Sequence, residues 1–175
     1  MSNNNISLGL DISSTTIGYC FSSSKTEINH AGFISVHKEL SIRNKAKKVA
    51  EELRNIQLQP FVVIVEDSLS GFGGGRTSQQ TIVKLAKCNA IISYVVEELY
   101  NTEVQHINVS TMRKVVFGKS REKGLDSKIF VKNNLENMLD LSEFTFYNSR
   151  QNYDKKNYDM LDAVVASLYH WYSLH

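Results

Sequence analysis

The sequence predicts an α/β fold in which one mixed five-stranded sheet carries helices on both faces. Three observations predict it. Short alternating segments near the N-terminus, joined by short turns, give an antiparallel start. A continuous apolar run, Phe61-Val62-Val63-Ile64-Val65, has the composition of a strand buried on both sides. Helix-period segments then separate the later strands, as parallel crossovers require.

Residues 6–12 alternate as a strand and meet the turn-prone Ser13-Ser14-Thr15-Thr16; residues 17–21 resume as a second strand. Residues 27–34 read as a third, weakened by Gly32. A helix is expected over 38–56, because Leu40, Ile42, Ala46, Val49, Ala50 and Leu53 recur at helical spacing, with Arg43, Lys45, Lys47 and Lys48 on the outer face. The buried fourth strand ends in Glu66-Asp67, and a glycine-rich stretch, residues 71–75, follows. An amphipathic helix is expected over about 77–100, a fifth strand over 104–107, and short helices over about 111–116 and 126–138 on either side of a basic loop. A polar stretch over 148–157 leads into a final helix, 159–172.

Composition bounds the function classes. With 175 residues, 42% hydrophobic and 22% charged, the chain suits one domain, 1–175, with a sizeable core. A net charge of +2 permits a nucleic-acid partner without demanding one. Cys20 and Cys88 lie far apart, with neither zinc spacing nor a disulfide framework. The polar N-terminus is unlike a signal peptide, and no apolar run is long enough to span a membrane. An intracellular, cytoplasmic protein is expected. The richness in Asn, Lys, Ser and Ile, with a single proline, fits an AT-rich genome, and the compactness of the chain suits a bacteriophage or other viral source.

Four acids stand out by position. Asp11 lies inside the first strand, where a charge between Leu10 and Ile12 is costly unless partnered. Glu66 ends the fourth strand. Asp159 and Asp162 are one helical turn apart at the start of the last helix and project from one face. If the first and fourth strands are neighbours, all four converge. Converging carboxylates repel one another, and hard Mg²⁺ relieves the repulsion through oxygen ligands. Two such ions would stabilise the attacking water and the leaving oxygen of a phosphodiester, with Mn²⁺ expected to substitute. Two of the acids also have a plainer role: Asp159 suits a helix N-cap or a first turn, where the dipole favours an acid, and Glu66 suits a strand end.

These residues resemble a family. Leu8-Gly9-Leu10-Asp11-Ile12, followed by a small-residue turn and Gly18-Tyr19, resembles the opening of the RuvC-type Holliday junction resolvases. Val63-Ile64-Val65-Glu66-Asp67 resembles their second acidic motif, residues 111–118 their segment after the fifth strand, and Asp159-Met160-Leu161-Asp162-Ala163 their terminal Asp-x-x-Asp-Ala motif. The resemblance spans residues 8–169 and implies a ribonuclease-H-like fold. It implies that Asp11, Glu66, Asp159 and Asp162 form a metal-binding catalytic tetrad in a Mg²⁺-dependent endonuclease that acts as a homodimer on four-way DNA junctions. It also implies basic residues at the scissile phosphate. Arg113 matches one and Lys128 best matches the second, with Lys123 as the rival. Lys114, Lys119, Arg121 and Lys123 would hold the DNA backbone, joined by Arg76 beside the glycine run. An aromatic or apolar wedge is expected after Glu66, for which Phe72 and Leu69 are the candidates. The family's dimer helix corresponds to 77–100, where Ile82, Val83, Leu85, Ala86, Ala90, Ile91, Tyr94 and Val95 form an apolar surface wide enough to meet both the sheet and a partner; the alternative is that all of it faces the chain's own core. The usual Pro-Gly after the first Asp is Ile12-Ser13 here, which departs from the pattern at the turn.

Four other readings compete. Residues 70–77 sit where a P-loop would, but Ser70 and Arg76 replace its glycine and lysine. The opening also resembles the first phosphate loop of actin-like and sugar kinases, which need two such domains. A nuclease of the same fold acting on RNA–DNA hybrids would share the acids and differ in substrate, and a non-catalytic branched-DNA binding module would share the fold without the reaction.

Overall fold

The computed structural model describes residues 5–39, 41–67, 78–150 and 152–174. Strands β1 (Ser7–Ile12), β2 (Thr16–Ser22) and β3 (Ile28–Ser35) are followed by helix α1 (Ile42–Asn55) and strand β4 (Val62–Asp67). Then come α2 (Gln79–Tyr100), β5 (Val104–Asn108), α3 (Val109–Phe117), α4 (Ser127–Met138) and α5 (Asn157–Ser173). The sheet has five strands in the order β3-β2-β1-β4-β5. The first three pair antiparallel, and β4 and β5 join in parallel. The predicted mixed sheet with an antiparallel start is therefore the observed one.

Alternation along the strands divides the interior into two cores. Leu8, Leu10 and Ile12 of β1 and Val63 and Val65 of β4 pack with α1 and α2, through Ala46, Val49, Leu53, Cys88, Ile92 and Val96. Val62 and Ile64 point the other way and pack with α3, α4 and α5, through Met112, Phe130, Leu135, Met160 and Val164. Helices thus cover both faces.

Helix starts follow local capping chemistry. Ser41 caps α1 by accepting from the Asn44 N–H, so the helix begins later than its apolar spacing suggested. Ser78 caps α2, Asn108 caps α3, and Asp126 caps α4 by accepting from the N–H groups of Lys128 and Ile129. One expectation is overturned. Lys45 is buried rather than outward-facing, because its ammonium donates to the Ser14 carbonyl. This bond ties α1 to the turn after Asp11. In that turn Ser13 Oγ accepts from the Thr16 N–H at 3.0 Å and donates to the Thr16 carbonyl at 2.7 Å. A hydroxyl-built turn therefore stands at Ser13-Ser14-Thr15-Thr16.

Candidate functional site

The site is built where β1, β4 and α5 meet. In the parallel register Leu10 pairs with Val65, so the next residues along the two strands, Asp11 and Glu66, lie side by side. Alternation places Asp11 on the same face as Ser7 and Gly9, the face that α5 covers. Gly9 and Gly18 let α5 approach. A Cβ on Gly9 would lie 2.2 Å from the Ala163 carbonyl oxygen, and one on Gly18 would lie 1.9 Å from that of Asp159. Gly18 is also the β2 partner of Asp11. Serines hold this contact: Ser7 Oγ donates to the Ser167 carbonyl, Ser167 Oγ donates to the Ser7 carbonyl, both at 3.0 Å, and Trp171 Nε1 donates to Ser22 Oγ.

Helix α5 begins two residues earlier than expected, so Asp159 is not its N-cap but stands in its first turn, where the helix dipole favours an acid. The N-cap position is Lys156, with no side-chain cap. Asp159 lies inside the first turn, and Asp162 follows one turn later. Both are partly buried against the strand acids.

The four acids act on one another electrostatically. Burial pushes the Asp11 carboxyl well above the ordinary carboxylate range, and the charges of Glu66, Asp162 and Asp159 push it further. Glu66 is pushed up to about 7, by burial first and then by Asp162. Burial also raises Asp159 and Asp162. Two cations oppose these shifts. Arg113 Nη2 donates to Asp162 Oδ1 at 2.9 Å, and Arg113 Nη1 donates to Ser127 Oγ at 2.6 Å, so one guanidinium ties α3 to both α4 and α5. Arg113 Nε is buried without a hydrogen-bond partner among the described residues. Lys128 lowers Asp11, Asp159 and Asp162, and its ammonium stands 5.2 Å from the centroid of the Tyr158 ring.

Four carboxyl groups meet only two cations, their mutual repulsion favours protonation or a bound cation, and every candidate donor is an oxygen. That donor set suits a hard divalent ion. Among the described residues no three acidic, histidine or cysteine side chains already form a ligand set, and Asp162 is turned toward Arg113. Side-chain rotation would be needed to close the site on a cation.

Of the other expected site residues, the structure brings Lys128 rather than Lys123 to the acids. Lys114, Arg121 and Lys123 are exposed, and Lys119 is paired with Glu122 at 2.6 Å. Leu69, Phe72 and Arg76 lie outside the described residues. On α2, Cys88, Ile92, Val96 and Tyr100 face the core, whereas Val83 (50% exposed), Ile91 (40%) and Tyr94 (59%) do not. The expected apolar surface is therefore not consumed by the chain's own core. Sequence reading missed Asn89, which is buried on α2 and donates to the Glu66 carbonyl at 3.5 Å, steadying the strand end. A polar residue on a core-facing helical position was the available signal.

No protein-family model matches the sequence, and no curated protein does. Solved structures do. Thermus thermophilus RuvC in complex with Holliday junction substrate is 10% identical, with a TM-score of 0.65, over 97% of this chain and 94% of that one. The yeast mitochondrial Holliday junction resolvase Ydc2 is 14% identical, with a TM-score of 0.61, over 97% of this chain and 78% of that one. The Fowlpox virus resolvase, solved with substrate Holliday junction DNA, is 21% identical, with a TM-score of 0.56, over 97% and 98%. The strand order, the two-sided helical cover and these likenesses together give the chain the ribonuclease-H-like fold of the Holliday junction resolvases.

Proposed function

We propose that this chain is a structure-selective DNA endonuclease that resolves four-way junctions by paired symmetric nicks. One observation carries the reading: Asp11, Glu66, Asp159 and Asp162, from three separate elements, crowd together where Gly9 and Gly18 admit α5. A structural role for such a cluster is hard to sustain, since buried like charges cost stability. A pure DNA-binding module gains nothing from negative charge facing phosphates.

In this reading the four carboxylates hold two Mg²⁺, or Mn²⁺, whose chemistry is to activate water and to stabilise the leaving oxygen of the phosphodiester. Lys128 and Arg113 bind the scissile phosphate, and the buried Arg113 Nε supplies a further donor. Lys114, Lys119, Arg121 and Lys123 hold the flanking backbone, so affinity falls steeply with salt. Phosphate contacts of this kind position DNA without reading its sequence. Phe72, or Leu69, is assigned to the junction centre and Arg76 to the backbone from their places in the sequence. The exposed α2 stripe, Val83, Ile91 and Tyr94, takes a second copy of the chain, and the resulting homodimer sets two sites against a two-fold symmetric junction.

The test is cleavage of a synthetic four-way junction, a matched duplex and an RNA–DNA hybrid, in Mg²⁺ and in EDTA, beside Glu66→Gln. Paired nicks near the junction centre, seen only with Mg²⁺ and lost in the variant, are expected. Binding without cutting in Mg²⁺ or Mn²⁺ would remove the catalytic reading, and preferential cutting of the hybrid would reassign the substrate.

A further inference from the structure

A line of aromatic rings leads away from the acidic site along the seam of α4 and α5. Tyr158 directly precedes Asp159. Its ring lies 5.5 Å from that of Tyr153, which lies 6.4 Å from that of Tyr147. Lysines flank the line: Lys128 stands 5.2 Å from the Tyr158 centroid and Lys132 stands 5.0 Å from that of Tyr153. Tyr147, at the far end, is 60% exposed.

This exposure is built, not incidental. Tyr147 and Tyr153 face each other across an antiparallel bridge. At the tip, Asn148 Oδ1 accepts from the N–H groups of Arg150 and Asn152 at 2.9 and 3.1 Å. At the base, the wholly buried Asn157 clamps Phe146, accepting from its N–H at 3.0 Å and donating to its carbonyl at 2.8 Å. The hairpin thus holds an aromatic ring in water, where it adds nothing to either core.

Rings at stacking reach with ammonium groups beside them are the chemistry of unpaired nucleic-acid strands, in which bases stack on aromatics and phosphates meet cations. A duplex arm would need only the cations, because its bases are already stacked. Tyrosine phenols are uncharged at neutral pH, so the rings add no negative charge of their own, and the acid beside Lys132 is Glu136, paired with it at 3.4 Å. We propose that Tyr147, Tyr153 and Tyr158 form a second DNA-binding surface, which takes the bases of an unpaired strand leaving the branch point and gives this chain a preference for branched DNA with an unpaired arm. That this surface feeds a cutting site rests on the nuclease reading above; the surface itself does not.

The experiment measures binding of the whole protein in EDTA to a Y-shaped DNA with two unpaired thymidine arms and to a blunt duplex of the same paired length. Wild type is expected to prefer the Y-shaped DNA. Tyr147→Ala should weaken that binding about ten-fold, within the range of one base–aromatic stack, and leave duplex affinity unchanged. Tyr147→Phe should retain it. Equal affinity of wild type for the two DNAs, an unchanged Tyr147→Ala, or an equal loss on both DNAs would overturn the proposal. Thermal melting of Tyr147→Ala checks the fold, and its midpoint should match wild type. Four-way junction cleavage by wild type in Mg²⁺, scored in parallel, tests the nuclease reading separately: its absence would remove that reading and leave the strand-binding result standing.

Discussion

The two faces of the sheet differ in what they place against their helices. Toward α1 and α2 the strands present Leu8, Leu10, Ile12, Val63 and Val65, and the helices return aliphatic side chains. Toward α5 the central strand presents Ser7, Gly9 and Asp11, and the helix backbone itself comes down on the glycines. One face is filled by volume and the other by close approach. The same strand therefore supports stability on one side and crowds charge on the other, because its alternation has period two. The acids need the second kind of packing. A helix held off by ordinary side chains would leave Asp159 and Asp162 too far from Asp11.

The comparison can be broken most severely at the glycines. Gly18→Val would drive a branched side chain into the α5 backbone around Asp159. Backbone cannot step aside as a flexible side chain can, so the loss should exceed the usual 1–3 kcal/mol of overpacking, at about 4 kcal/mol or more. Chemical denaturation would show it as a large fall in midpoint or as failure to fold. Leu10→Ala on the opposite face removes volume instead. It should cost about 2–5 kcal/mol, and the folded fraction should still bind Mg²⁺.

Asp11→Asn reverses the sign. It removes one of the crowded charges, so in EDTA at pH 8 its melting temperature should rise above wild type, whereas cleavage in Mg²⁺ should fall by more than about 100-fold, the most that loss of a ligand's supporting partner costs. A lower melting temperature would show that Asp11 is a stabilising core group rather than a strained functional one.

The smallest expected effect is on pH. Glu66 has its carboxyl raised from 4.5 to about 7 in the fold. A raised folded value means that the native state holds its proton more tightly than the unfolded chain. The associated stability is fully present below pH 4.5 and is lost as pH rises through about 7. Metal-free protein should therefore melt lower at pH 8 than at pH 5.5, and Glu66→Gln should flatten that slope. Mg²⁺ should restore stability at pH 8 by binding the native state alone. A melting temperature that rises with pH in EDTA would contradict the assignment.

Much of this arrangement was legible in the residues. A charge inside an apolar strand marked Asp11, and an acid at the end of a doubly buried strand marked Glu66. Both clues are local, since they need only alternation and burial. The glycines were not legible in the same way. Gly9 and Gly18 matter because a helix that begins at Asn157 arrives on top of them, and that approach is a property of topology rather than of neighbouring residues. Lys45 misled for a related reason. Its spacing placed it outside, but a turn carbonyl on another element gives its ammonium an inward partner. The choice between Lys128 and Lys123 depended on where Asp126 capped α4. The stretch over 148–157 read as merely polar, because its Tyr153 is brought beside Tyr147 only by the bridge between them.

The central claim is that α5, seated on two glycines, completes an acidic site for divalent ions. The most direct test is a titration of Mn²⁺ into the protein at pH 8, with free Mn²⁺ followed by electron paramagnetic resonance, for wild type and Glu66→Gln. Wild type is predicted to take up two ions and the variant fewer. Uptake of none by wild type, or equal uptake by both, would contradict the account.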